Sequence, residues 1–153
     1  MSEAINNGPC YNSCFENVVD EKRRVQIPSQ WRKGQHEVEF MLILWPSGPV
    51  KDACLMVLPP PVAEKLRQKI TSMPFGDSQA ESLRRFLGRK SQMVPSDKSG
   101  RITLPEHMAA AAGVKEKAVL VGMFDRFQVW SPERFEATTE ADDALAQEAF
   151  KLI

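Results

Sequence analysis

The chain has 153 residues, with 20 lysines and arginines against 20 aspartates and glutamates, for a formal net charge of zero. That length holds one domain or two small ones, and the ordinary globular composition excludes a fibrous or low-complexity protein. No apolar run approaches the ~20 residues that span a membrane, the polar start Ser2 to Pro9 is no signal peptide, and three cysteines make no disulfide framework, which fits a reducing, cytoplasmic setting.

In chain order, residues 1–14 read as a polar, loop-like N-terminal extension, poorly ordered at its end. Asn17-Val18-Val19 is a short strand leading into a turn at Asp20. After Pro28, Ser29 to Arg32 allows one or two helical turns closed by Gly34. Glu37 to Trp45 and Ala53 to Leu58 are core strands around the Pro46–Pro49 loop. Pro59 to Pro61 start a helix with Val62, Leu66, Ile70 and Met73 on one face. Met73 to Asp77 breaks it, and Ser78-x-x-Glu81 reads as a capping box for a helix reaching about Arg89.

Met93-Val94 then leads into a turn at Asp97. Arg101 to Leu104 leaves that turn as a strand, and Pro105 to Ala112 is a helix ended by Gly113. Lys117–Phe124 and Phe127–Trp130 form a hairpin around Asp125-Arg126. Ser131-Pro132-Glu133 supplies a cap, a proline and an acid for a last helix. That helix places Ala141, Leu145, Ala149 and Leu152 on one face.

One stretch occurs twice. Asp20 to Pro28 and Asp97 to Pro105 both read Asp, three residues, Arg, aliphatic, polar, aliphatic, Pro, 77 positions apart. The aspartate carboxylate can accept backbone N–H groups of the following residues, which opens a turn. Val25 and Ile27, like Ile102 and Leu104, alternate with polar residues, so each turn feeds a half-buried strand. Proline has no N–H for a ladder, and ends it. Two copies half a chain apart indicate two related modules in an α+β protein with antiparallel strands and peripheral helices.

This doubled unit resembles the MraZ family, whose members carry two Asp-x-x-x-Arg motifs on AbrB-like swapped-hairpin modules. Met73-Pro74-Phe75, Leu83 to Gly88, Gly122 to Phe127 and Trp130-Ser131 extend the likeness over most of the chain. The resemblance implies two AbrB-like modules (residues 15–76 and 77–153) forming a pseudo-twofold barrel behind the 1–14 extension. It further implies a nucleoid-associated bacterial DNA-binding regulator of the division and cell-wall gene cluster. Such a regulator assembles as a ring-like homo-oligomer on repeated boxes of double-stranded promoter DNA, away from any membrane.

The charges support a nucleic-acid reading without the resemblance. Residues 20–34 carry five basic residues against two acidic, a local +3, and residues 84–101 carry six against one, a local +5. Residues 133–151 carry two against six, a local −4. A basic patch on a neutral protein is a footprint for phosphates; the competing reading is solvated helix faces. Lys22, Arg23 and Lys98 sit on the turns, where phosphate contact is natural, with Arg32 and Lys33 close behind. Arg24 and Arg101 either pair with Asp20 and Asp97 or present a fork to phosphate or guanine.

Gly100 precedes Arg101, and a glycine there marks a left-handed backbone. The first copy has Arg23 instead, where the family usually has glycine. Either its turn keeps the geometry and Arg23 bears the strain while its charge faces DNA, or the turn has rearranged. Nothing in the motifs supplies a nucleophile, a catalytic pair or a cofactor loop, so the chain reads as no enzyme, with no cofactor. Cys10, Cys14, Cys54 and His36 lack paired metal-ligand spacing, and His36 and His107 lack partners for a hydrolytic triad. The rivals are an AbrB-fold protein-binding module such as an antitoxin, with a disordered C-terminal tail, and a zinc hydrolase.

Overall fold

The computed structural model describes residues 8–35 and 37–153. Among them are eight strands, four α-helices and two 3₁₀ turns, so the chain is α+β. The strands are β1 (Cys14–Val18), β2 (Arg24–Gln26), β3 (Glu39–Ser47), β4 (Val50–Leu58), β5 (Ser91–Pro95), β6 (Arg101–Thr103), β7 (Lys117–Gly122) and β8 (Phe127–Trp130). The helices are α1 (Pro60–Thr71), α2 (Ser78–Lys90), α3 (Glu106–Ala112) and α4 (Pro132–Ala149).

Six strands form one antiparallel sheet in the order β1-β7-β8-β4-β3-β5, and β2 pairs with β6 in a separate ribbon. The order reads the same from either end when the halves are exchanged. The two halves meet at β4 and β8, where Leu55 faces Val129 and Val57 faces Phe127. Among the described residues, backbone pairing between ribbon and sheet edges is limited to the isolated bridges Val19–Val25 and Ser96–Ile102, with Asn17 Nδ2 also donating to the Gln26 carbonyl at 2.7 Å. The described strands therefore do not close into the barrel that the resemblance implied.

Alternation of side chains divides the core. Phe40, Leu42 and Leu44 of β3 face a large cluster with Val25, Ile27, Ile102, Leu104, Met108 and Phe127. Ile43 of the same strand faces Met56, Leu58 and Ala63 on the other side, with Met41, Leu66 and Leu87 packed against them. β3 is thus buried on both faces, which is why it reads as a nearly continuous apolar run. Cys54 lies fully buried in β4, and burial pushes its thiol up to about 12.

Several local expectations need correction. The helix after Pro28 is a single 3₁₀ turn, Ser29–Trp31. The cap of α2 is Asp77, whose Oδ1 accepts from the Gln79 and Ala80 N–H groups; Ser78 is the first helical residue. Ser131 does cap α4, accepting from Arg134 N–H, and Gly113 closes α3 in the left-handed region.

Residues 8–13, just before β1, are no detached loop. Tyr11 exchanges two backbone hydrogen bonds of 2.8 Å with Phe124, and Trp31 Nε1 donates to the Asn12 carbonyl. The Tyr11 ring packs at 5.6 Å from Trp31 and 5.4 Å from Phe127. Gly122 is required there, because a Cβ would collide with the Tyr11 backbone. An Asn-rich stretch with one aromatic has no period for pattern reading to find. Cys10 and Cys14 are exposed, whereas His36 and residues 1–7 lie outside the described residues.

Candidate nucleic-acid interface

The two repeated stretches fold into the same turn and then pair with each other. Asp20 Oδ1 accepts from the N–H groups of Lys22 (2.9 Å) and Arg24 (2.8 Å). Asp97 Oδ1 accepts from those of Ser99 and Arg101, both at 2.9 Å. The turns close with Arg23 N–H to Asp20 O at 2.9 Å and Gly100 N–H to Asp97 O at 3.0 Å. Donation from the Arg24 backbone, backed by its side chain and the Lys22 N–H, holds the Asp20 carboxyl below its usual range. Arg101 and Ser99 do the same for Asp97.

The ribbon register is Arg24 opposite Thr103, Val25 opposite Ile102 and Gln26 opposite Arg101. Val25 and Ile102 are fully buried. Alternation then puts Arg24, Gln26, Arg101 and Thr103 together on the opposite face, away from the core. Flanking hydrogen bonds continue the symmetry, from Ile27 N–H to Gly100 O (2.9 Å) and from Leu104 N–H to Arg23 O (2.8 Å). Neither copy makes this platform alone.

Both arginines pair with their aspartates. Arg24 Nε donates to Asp20 Oδ2 at 2.7 Å, and Arg101 Nε to Asp97 Oδ2 at 3.0 Å. Each side chain keeps about a third of its surface exposed. The ion pair is an orienting clamp: it uses one of the five guanidinium N–H donors and fixes the plane of the rest. Lys22 and Lys98 stand exposed on the turns, and Lys33 is exposed beyond the 3₁₀ turn.

Arg23 and Arg32 make backbone contacts that the sequence did not reveal. Arg23 sits at φ +62°, so its turn keeps the geometry that Gly100 has at φ +80° in the other copy. Its side chain does not simply project outward. Its Nε donates to the Leu104 carbonyl at 3.0 Å. The related carbonyl, Ile27, accepts from Arg32 Nε at 2.9 Å. The Arg32 side chain lies across Gly100, where any Cβ would collide with its Cδ, Nε and Cζ. The position related to Arg32 by the 77-residue offset is Ala109. Equivalent carbonyls are thus capped by non-equivalent arginines, and each large residue is matched by a small one.

Gln26 escaped the sequence reading. Its Nε2 donates to the Ser99 carbonyl at 2.7 Å, bracing the opposite turn. A polar residue between two aliphatics in a strand was the available signal, but it does not reveal the register. The second basic block also proves to be divided. Arg84 donates to the Met73 carbonyl, Arg85 pairs with Glu81 and Lys90 with Asp52. These residues precede β5, whose five residues separate them from the Asp97 turn by about 15 Å.

The chain resembles proteins from several bacteria. Residues 88–151 match the family model described as "MraZ protein, putative antitoxin-like". A protein of Caulobacter vibrioides (strain NA1000 / CB15N), called Transcriptional regulator MraZ, is 32% identical over 136 residues, covering 89% of this chain and 86% of that protein. Proteins of the same name from Herpetosiphon aurantiacus and Roseiflexus castenholzii are 34% identical over 134 residues and 30% over 132. The alignments cover 86% of this chain with each, and 90% and 88% of those proteins. With identity at this level over most of the chain and of each relative, the chain belongs to the MraZ family of transcriptional regulators.

Proposed function

We propose that this chain regulates transcription by binding double-stranded DNA at repeated promoter boxes, as a ring-like homo-oligomer in the cytoplasm, at the nucleoid. The observation that carries the reading is the β2–β6 ribbon, with Arg24 and Arg101 clamped on one polar face and Lys22 and Lys98 at its turns. A two-stranded ribbon fits the major groove of B-DNA, where guanidinium forks read guanine edges and lysines meet phosphates. Arg23 and Arg32 carry charge to the same region while holding its backbone. The regulated genes would be the division and cell-wall cluster, under repression. Residues 15–76 and 77–153 serve as two modules of one binding unit. The antitoxin alternative expected a disordered tail, whereas α4 is helical to Ala149.

The test is a mobility-shift titration on DNA from upstream of the chain's own gene, at several salt concentrations. Affinity should exceed that for unrelated DNA and fall steeply with salt as counterions are released. Arg24→Ala should weaken specific binding by about 1–3 kcal/mol without changing the oligomer's mass in light scattering. Equal affinity for unrelated DNA, or unchanged binding by a folded Arg24→Ala protein, refutes the reading.

A further inference from the structure

Among the described residues, helix α4 is anchored near its start. Phe135 packs on Trp130 with ring centroids 6.1 Å apart, and Arg134 donates to the carbonyls of Asp52 and Ala111. From Glu140 to Ile153 every residue but Ala146 is exposed. An isolated helix of this length is marginal in water. This one also keeps Leu145 63% exposed, with Phe150 and Leu152 more exposed still. Its last three turns carry Glu140, Asp142, Asp143 and Glu148. Such an arm is both apolar and acidic, and leaves its apolar side chains in solvent.

The opposite character appears on α2. Ser82, Leu83, Arg85, Phe86 and Arg89 line an open hollow on its outer side. Leu83 is exposed and Phe86 half-buried, and the Arg89 guanidinium lies 5.6 Å from the Phe86 ring centroid. Over its length α2 carries four basic residues and one acidic. Arg84 and Lys90 are held by Met73 and Asp52, but Arg89 and the exposed Arg85, paired among the described residues with Glu81 on its own helix, face this hollow a strand's length from the ribbon.

We infer that the α4 arm of one copy of this chain docks on the outer face of α2 of a second copy. Leu145 and its neighbours would meet Leu83 and Phe86, with α4 carboxylates facing Arg85 and Arg89. Apolar surface is present on both elements and the charges are opposite. A second copy is the partner favoured by this match, because both complementary faces belong to one sequence. The contact joins different surfaces of the two copies; unreciprocated, as the ring proposed above requires, it is heterologous and propagates head to tail until it closes, whereas reciprocated it would stop at a twofold dimer. This inference rests on the oligomer proposed above and names its joint.

The test uses two full-length variants with exposed substitutions. One carries Arg85→Glu and Arg89→Glu; the other carries Asp142→Lys and Glu148→Lys, the two acids three residues either side of Leu145 on its helix face. Each alone faces like charge with like charge at every joint, and should fall to monomer mass in light scattering while keeping the wild-type circular dichroism. Mixed, they can alternate with complementary joints throughout, and the wild-type mass should return. Wild-type mass in either variant alone overturns the joint while leaving the oligomer standing. Two monomeric variants that stay monomeric when mixed also overturn it. A monomeric wild-type chain overturns the oligomer itself, and the joint with it.

Discussion

Replacing Arg23 by alanine and, separately, by glycine divides the two effects that meet at this residue. Both variants lose the Nε donation to the Leu104 carbonyl. A hydrogen bond from a charged donor contributes about 1.5–3 kcal/mol, and half-burial of Arg23 puts the loss nearer about 1 kcal/mol after solvent screening. Alanine retains the cost of a non-glycine residue at φ +62°, about 1–2 kcal/mol. Glycine relieves it, but gives back about 0.4–1 kcal/mol through the freedom of the unfolded chain.

The glycine variant should therefore be the more stable of the two by about 0.5–1 kcal/mol, the reverse of the order at an ordinary site. Urea denaturation at one fixed protein concentration reads this as a midpoint difference of about 0.25–0.5 M, for a slope of ~2 kcal/mol/M. Alanine above glycine would show that the turn is unstrained in solution. Alanine equal to the wild type would show that the bond to Leu104 contributes nothing.

Gly100→Ala should destabilise by about 2–3 kcal/mol, from backbone strain plus displacement of Arg32 from the Ile27 carbonyl. In an Arg32→Ala background the same change should lose only the strain, and thermal melts of the four-member cycle measure the coupling. Tyr11→Phe removes a buried hydroxyl with no hydrogen-bond partner among the described residues, and should raise stability by about 1 kcal/mol in denaturant titration. Asp20 and Asp97 have depressed folded pKa values, so their contribution is complete above about pH 4, the unfolded carboxylate value. It is lost as pH falls through the lower folded values; Asp20→Asn with Asp97→Asn should flatten acid unfolding there, and an unchanged profile would remove the turns from the acid response.

The parts of the fold that sequence made legible are those whose chemistry is local. The Asp turns, the Pro-led starts, Gly113 and the Ser131 cap each involve groups within a few residues. The doubled motif placed two equivalent turns. What it did not place was their mutual pairing, since β2 and β6 lie 77 residues apart and are brought together only by the tertiary fold. The same reason hid the work of Arg23 and Arg32. Both reach carbonyls fixed by the tertiary fold, 81 and 5 residues away, and even the near one depends on how Gly100 passes beneath. The charge count of residues 84–101 merged two surfaces because it ignored the length of β5. Phase alone marked α4 as amphipathic, but periodicity says nothing about whether the chain itself covers that face.

The outermost strand β1 pairs with β7, so that Cys14 stands opposite Val121 and Val18 opposite Lys117. On the ribosome this order has a timing. At synthesis rates of about 5–20 residues per second, β1 emerges roughly 5–20 s before the strand that completes it. The β3–β4 hairpin and α1, whose contacts are near in sequence, can form during that interval. The Asp20 turn can close too, since its partners lie within four residues. Its strand β2 must wait for β6, which ends at Thr103, so the paired ribbon cannot exist until about two-thirds of the chain has been made. A nascent chain stalled in its first half would present the Asp20 turn and its lysine without the paired ribbon. Assembly of the paired surface is thereby deferred well past the midpoint of synthesis.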